Sequence, residues 1–126
     1  MNKLLLKDWY VICRKDEIEE NKILLKYVFD QEIIIWKKKE RIMAWENLCI
    51  HRGSRLSLGS IKNGILKCAY HGWEYNQDAQ CVKIPSQPDI KIPKKACVKS
   101  YKVIEKMNMV WINLSKDTND FVNIKE

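Results

Sequence analysis

Histidine is almost missing from this 126-residue chain, which has only His51 and His71. Two imidazoles suffice for one metal site and leave none for a second. Arginine is also scarce, four residues against nineteen lysines. Nucleic-acid readers usually carry arginine-rich patches or a recognisable reading motif, and here the lysines are scattered over every segment, so no nucleic-acid partner is expected. The net charge of +7 reads first as a solvated lysine-rich surface and second as a surface for an acidic partner. No apolar run approaches the roughly 20 residues that span a bilayer, and the three leucines Leu4 to Leu6 fall short of a signal-peptide core of about 7 to 15. The expectation is a soluble, unexported chain with no membrane partner.

The length suits one core of ordinary size and is too short for two well-buried domains. Hydrophobic residues make up 46% and aromatics 10%, enough for a packed globule. Helical periodicity is rare and short apolar runs broken by turn residues dominate, which predicts an all-β chain. Trp9 to Cys13 reads as a first strand, and Arg14 to Lys22 as a loop or a single helical turn. Ile23 to Phe29 and Ile33 to Lys37 form a hairpin through Asp30-Gln31-Glu32. Arg41 to Asn47 continues the meander beyond the turn at Lys38 to Glu40. Tyr101 to Lys106 and Met109 to Leu114 close it through Met107-Asn108. Trp9, Trp36, Trp45 and Trp111 are candidate core anchors.

Glycine and proline number four and three, and all seven lie between residues 48 and 98. Backbone that turns tightly and approaches an inorganic core needs residues without a Cβ. The same segment holds Cys49-Ile50-His51-Arg52-Gly53 and Cys68-Ala69-Tyr70-His71-Gly72-Trp73, which together spell C-x-H-x16-C-x2-H. Each cluster begins where a predicted strand ends, so two loops of similar build can close on one cofactor. Two cysteines and two histidines are the ligand set of a Rieske [2Fe-2S] centre, two thiolates on one iron and two imidazoles on the other. A tetrahedral zinc site in a binding module without redox role is the competitor, although zinc fingers usually pair Cys with Cys and His with His. Five cysteines is an odd number, and two in metal-ligand spacing point to a reducing, cytoplasmic setting rather than a disulfide framework. Cys13, Cys81 and Cys97 read as small half-buried side chains.

The stretch from Asn47 to Pro85 carries His51-Arg52-Gly53, Leu56-Ser57-Leu58-Gly59, His71-Gly72-Trp73-Glu74-Tyr75 and Cys81-Val82-Lys83-Ile84-Pro85. It closely resembles the N-terminal Rieske domain of ring-hydroxylating and demethylating Rieske oxygenases. Trp9-Tyr10 and Val110-Trp111-Ile112 extend the resemblance over nearly the whole chain. It implies a Rieske-type antiparallel β-sandwich over residues 1–114, with a cluster-binding subdomain inserted at about 48–85 and a polar tail or linker at 115–126. It also implies one [2Fe-2S] cluster held by Cys49, Cys68, His51 and His71. Arg52, Gly53, Gly72, Trp73 and Tyr75 are the surrounding candidates. Trp73 reads as a hydrophobic shield rather than a relay. The Tyr75 hydroxyl is a possible donor to a ligand sulfur, with a plain strand aromatic as the alternative. Arg52 and Arg55 read equally as contacts, to a partner domain's carboxylate or through backbone N–H to the cluster's sulfides, or as exposed loop arginines.

Family members commonly place proline after each ligand cysteine, where this chain has Ile50 and Ala69. Ser54 and Tyr70 replace the extra cysteines that lock the loops of cytochrome bc-type Rieske proteins. With no loop disulfide, and with Trp73 where those proteins have a hydroxyl donor, the expected potential falls at the low end of about −150 to +300 mV. The oxygenases activate oxygen at a mononuclear non-haem iron held by two histidines and a carboxylate, and this chain has no histidines left for one. The resemblance therefore implies an electron-transfer component that takes electrons from a reductase or ferredoxin. It would pass them to an oxygenase catalytic domain or subunit elsewhere, in a homo-oligomer as in the family. A standalone Rieske ferredoxin is the other electron-carrying alternative.

Overall fold

The computed structural model describes residues 9–50, 54–69 and 71–114. The expectations for residues 1–8, His51, Arg52, Gly53, Tyr70 and the tail at 115–126 lie outside them. Ten strands are found among the described residues: β1 (Trp9–Arg14), β2 (Leu24–Val28), β3 (Gln31–Lys38), β4 (Arg41–Glu46), β5 (Ser60–Lys62), β6 (Ile65–Lys67), β7 (Glu74–Tyr75), β8 (Cys81–Lys83), β9 (Ser100–Lys106) and β10 (Met109–Asn113). Six form a framework sheet in the order β1-β10-β9-β4-β3-β2, and four form a smaller sheet in the order β5-β6-β7-β8. The strands pair antiparallel. The all-β antiparallel sandwich expected from the sequence is the observed fold.

Its organising strand is β3, whose Ile33-Ile34-Ile35-Trp36 run is completely buried. Successive strand residues point to opposite faces, so an uninterrupted apolar run requires cover on both. Ile33 and Ile35 pack with Ile12, Val110 and Ile112 in one core. Ile34 and Trp36 pack with Leu56, Leu66 and Tyr75 in a second core, which also contains Cys49 and Cys68. Burying each such side chain contributes roughly 1.5–3 kcal/mol. The segment carrying Cys49 and Cys68 is thereby fixed to the framework through one face of β3.

The turns follow from local chemistry, with one shift from expectation. The β2–β3 hairpin turns at Phe29-Asp30 rather than over Asp30 to Glu32, because Gln31 and Glu32 already pair with Val28 and Tyr27. Phe29 and Asp30 have φ of 49° and 70°, the double positive φ of a two-residue turn that matches strand twist. Met107 and Asn108 repeat it with 58° and 63°. A third hairpin, β5–β6, turns through Asn63-Gly64 with φ of 51° and 77°. Of the two readings of Arg14 to Lys22, a loop or a single helical turn, the structure has a short helical turn at Lys15–Glu17 followed by irregular chain. Trp9, Trp36 and Trp45 are core anchors. Trp111 is only half-buried and donates its Nε1–H to the Lys106 carbonyl, 3.3 Å away.

Candidate metal centre

The two Cys/His clusters occupy two loops with the same closure. The Cys49 N–H donates to the Ser54 carbonyl at 3.0 Å, and the Cys68 N–H to the Trp73 carbonyl at 2.8 Å. In each case the acceptor lies five residues on. Both thiols are buried, at 0% and 1% exposure; β6 leads directly into Cys68, and β4 ends at Glu46, two residues short of Cys49. Loop 1 therefore starts from the framework sheet and loop 2 from the small sheet. Each returns on its own cysteine and carries a histidine.

In loop 2, His71 and Gly72 both take positive φ, 71° and 67°. The left-handed region costs a non-glycine residue of order 1 kcal/mol or more, and such strain persists where surrounding structure holds it. Here it turns the His71 side chain to an exposed position. Gly72 follows where a Cβ would be strained. Trp73 is half-buried and packs against the core that contains both cysteines.

The Tyr75 hydroxyl ties the loops together. Its oxygen lies 2.9 Å from Cys49 Sγ and accepts from the Ile50 N–H at 3.3 Å. That acceptance leaves the O–H for the sulfur, and a thiolate could only accept. Burial, with the Cys49 contact second, holds the phenol above its ordinary range, so it stays protonated. Tyr75 stands edge-on to Trp45 at 6.3 Å, and Trp45 edge-on to Trp36 at 5.2 Å. The ring is thus clamped from behind.

Loop 1 rests on a polar support that the sequence reading missed. Asn47, buried at 4% exposure, donates to Glu32 and to Ser57, both at 3.0 Å, and accepts from the Ser57 N–H at 2.7 Å. Arg55 closes the network on Glu32 at 2.7 Å. Arg55 first and Asn47 after it hold the Glu32 carboxyl below the ordinary range. Of the two arginines weighed as partner contacts, Arg55 has an internal partner and Arg52 lies outside the described residues. An asparagine two residues before the candidate ligand Cys49 was a usable signal. Its partners, 10 and 15 residues away, were not.

Cys13 lies in the framework core, its thiol pushed up to about 11 by burial, with Glu17 adding to the rise. Cys81 is also buried, whereas Cys97 is exposed. Among the described residues no group of three or more His, Cys, Asp or Glu side chains converges as a metal cage. His51, one of the four candidate ligands, lies outside them. The donors that are described still suit an iron-sulfur group. Two buried sulfurs, one facing a hydroxyl proton, and an exposed imidazole in the second loop match soft, anionic donors complemented by hydrogen bonds.

A two-layer antiparallel β-fold with two similarly closed loops, each bearing a cysteine and a histidine, is the class of scaffold that suits an iron-sulfur centre. Residues 8–102 match the Rieske [2Fe-2S] domain family, and the chain belongs to it. Membership implies a [2Fe-2S] cluster. The chain is 38% identical over 89% of its length to the protein TIC 55, chloroplastic, of Arabidopsis thaliana, and covers 21% of that protein. It is 37% identical over 82% of its length to the vanillate O-demethylase oxygenase subunit of a Pseudomonas strain, covering 28% of it. Among solved structures, apo dicamba monooxygenase superposes with a TM-score of 0.83 at 30% identity, over 94% of this chain and 37% of that one. The chain is thus homologous to Rieske oxygenase N-terminal domains, and spans about a fifth to a third of such relatives.

Proposed function

We propose that this chain is the electron-transfer module of an oxygenase-like oxidoreductase, with Cys49 and Cys68 holding one iron of the cluster and His51 and His71 the other. When bound, the cluster supplies reversible one-electron chemistry. The chain's own residues do the remaining work. The closures from Cys49 to Ser54 and from Cys68 to Trp73 fix where the sulfurs sit. The Tyr75 hydroxyl offers a proton to Cys49 Sγ. Trp73 and Ile50 pack on the core beside both thiols and limit water there. His71, exposed at its turn, offers the route by which electrons reach and leave the domain.

The observation that carries this reading is the matched closure of two loops, each holding one cysteine and one histidine. A reductase or ferredoxin is the proposed donor. The proposed acceptor is a mononuclear non-haem iron in an oxygenase catalytic domain or subunit, and the similarity to oxygenases supports both. We further assign residues 1–114 to the domain and 115–126 to a polar tail or linker. The odd cysteine count favours action in a reducing, cytoplasmic setting.

Protein purified without oxygen should contain two irons and two labile sulfides per chain. After reduction, electron paramagnetic resonance should show the low average g value of mixed His/Cys ligation. His71→Ala should abolish that signal and leave the β-framework folded by circular dichroism. One zinc with no labile sulfide, or an all-cysteine type of spectrum, would refute the assignment.

A further inference from the structure

The positive charge of this chain is not evenly spread. Residues 9–50 carry eight basic and eight acidic side chains, whereas residues 54–99 carry eight basic and three acidic. In the framework segment five of the eight, Arg14, Lys15, Lys22, Lys26 and Arg41, are ion-paired among the described residues, and the unpaired three, Lys37 to Lys39, sit together at the β3–β4 turn. Lys62, Lys67 and Lys83 have no ion-pair partner within 4 Å among the described residues.

Those three lysines share one face. The register aligns Ser60 with Lys67, Lys67 with Glu74 and Glu74 with Lys83. Residues directly opposite in a ladder point to the same side, and Lys62 follows two positions after Ser60. The opposite face of the same strands, Ile61, Leu66, Tyr75 and Cys81, is buried in the core with the cysteines. The lysine row is therefore the outer surface of the wall behind the metal centre. Glu74 is half-buried, and it is the only acidic side chain in the row.

This surface continues onto loop 2. A Cβ at Gly72 would meet the Lys67 side chain and the Pro85 ring, each at 3.5 Å, so both flank the turn that exposes His71. Val82 is 45% exposed between Cys81 and Lys83. An apolar spot inside a basic ring suits a transient interface, where charge guides encounter and a small dry centre fixes distance. A cleft of about 540 Å³ beside loop 1 is lined by Asp30, Glu32, Glu46 and Arg55, and among the described residues only Glu32 of these acids has an ion-pair partner, Arg55.

We infer that the outer face of β5 to β8, with Lys62, Lys67 and Lys83 beside the His71 turn, is the docking surface for a small acidic electron-donor protein. The acidic cleft beside loop 1 repels the same partner and orients it toward loop 2. This inference rests on the proposed electron-transfer role. In the exchange the donor loses one electron and the domain gains it, with no bond made or broken.

The test uses the cluster-loaded chain and, as probe, an acidic plant-type [2Fe-2S] ferredoxin in its redox-silent, gallium-substituted form, titrated by nuclear magnetic resonance at low ionic strength. Binding should weaken with added salt, and shifts should map to residues 60–67 and 82–85. K62E/K83E should weaken binding about tenfold or more, while K22E/K39E, an equal change of charge on the framework, should change it less than about threefold. The second-order rate of reduction by the native ferredoxin should fall in parallel. Reduction by the neutral deazaflavin radical should be the same for all three proteins. Equal weakening by both double variants, or none by either, overturns the docking surface and leaves the electron-transfer role standing. Failure of the loaded chain to take an electron even from the neutral radical removes that role, and the docking surface with it.

Discussion

Replacing Tyr75 by Phe removes one oxygen atom from the wall of the metal centre and leaves the ring in its aromatic clamp. The lost contact is the hydroxyl 2.9 Å from Cys49 Sγ. A hydrogen bond to a charged group contributes about 1.5–3 kcal/mol. Only the part that grows when the cluster gains an electron affects the potential. Taking about half of the bond as that difference gives about 0.75–1.5 kcal/mol, and for one electron 59 mV corresponds to about 1.4 kcal/mol, so the potential should fall by about 30–65 mV. The measurement is a redox titration of both proteins followed by circular dichroism in the visible region, with iron and sulfide content equal in each. An unchanged potential at full cluster content would show that the hydroxyl proton does not point at the sulfur. A rise would contradict the sign of the electrostatic reasoning.

Three further outcomes follow from the support structure. Asn47→Ala deletes hydrogen bonds to Glu32 and Ser57 at a buried site; it should cost about 2–3 kcal/mol in urea unfolding, and a loss under about 0.5 kcal/mol would refute the support assigned to Asn47. In Gly59→Ala the new Cβ overlaps the backbone carbonyl oxygen of Lys67, the residue before Cys68; rigid backbone gives little, so about 2–3 kcal/mol of destabilisation and reduced cluster retention are expected, checked by unfolding midpoint and iron content. The Glu17 carboxyl is held below its ordinary value, first by the Arg14 backbone N–H and then by Lys26. Because the folded value is the lower one, this contribution is present above about pH 4.3 and is lost as pH falls through the folded value. Glu17→Gln should therefore flatten the acid limb of a plot of urea midpoint against pH, and an unchanged limb would count against the contact.

The strands that could be read from sequence were those with an apolar pattern of their own. Trp9 to Cys13, Arg41 to Asn47 and the closing hairpin at Met107-Asn108 are legible because β-branched and aromatic runs meet turn residues there. Sequence alone puts the β2–β3 turn over Asp30 to Glu32, ending two residues too late, because Phe29 is a poor candidate for positive φ, and the register with Gln31 and Glu32 decides it. The small sheet was harder still. Strands β5, β7 and β8 are two or three residues long, too short for periodicity, although Asn63-Gly64 is a strong hairpin signal and was there to be used. At the centre, Cys/His spacing and loop similarity were visible, and Tyr75, which reads evenly as a donor to a ligand sulfur or a plain strand aromatic, lies with its hydroxyl 2.9 Å from Cys49 Sγ. Asn47, Ser57 and Glu32 were not seen, because a network closed between distant segments leaves no local pattern.

The two-sided burial of β3 has a mechanical meaning. Slipping this strand by one residue would exchange the contents of two cores at once, moving Ile33 and Ile35 toward the thiols and Ile34 and Trp36 toward the framework. The register is therefore locked from both sides, and β3 acts as a party wall that neither half can move alone. Volume removed from the framework side, as in Ile35→Val, should shorten the thermal lifetime of a bound cluster without changing its potential. How long the domain holds its metal is thus decided partly by residues that never face it.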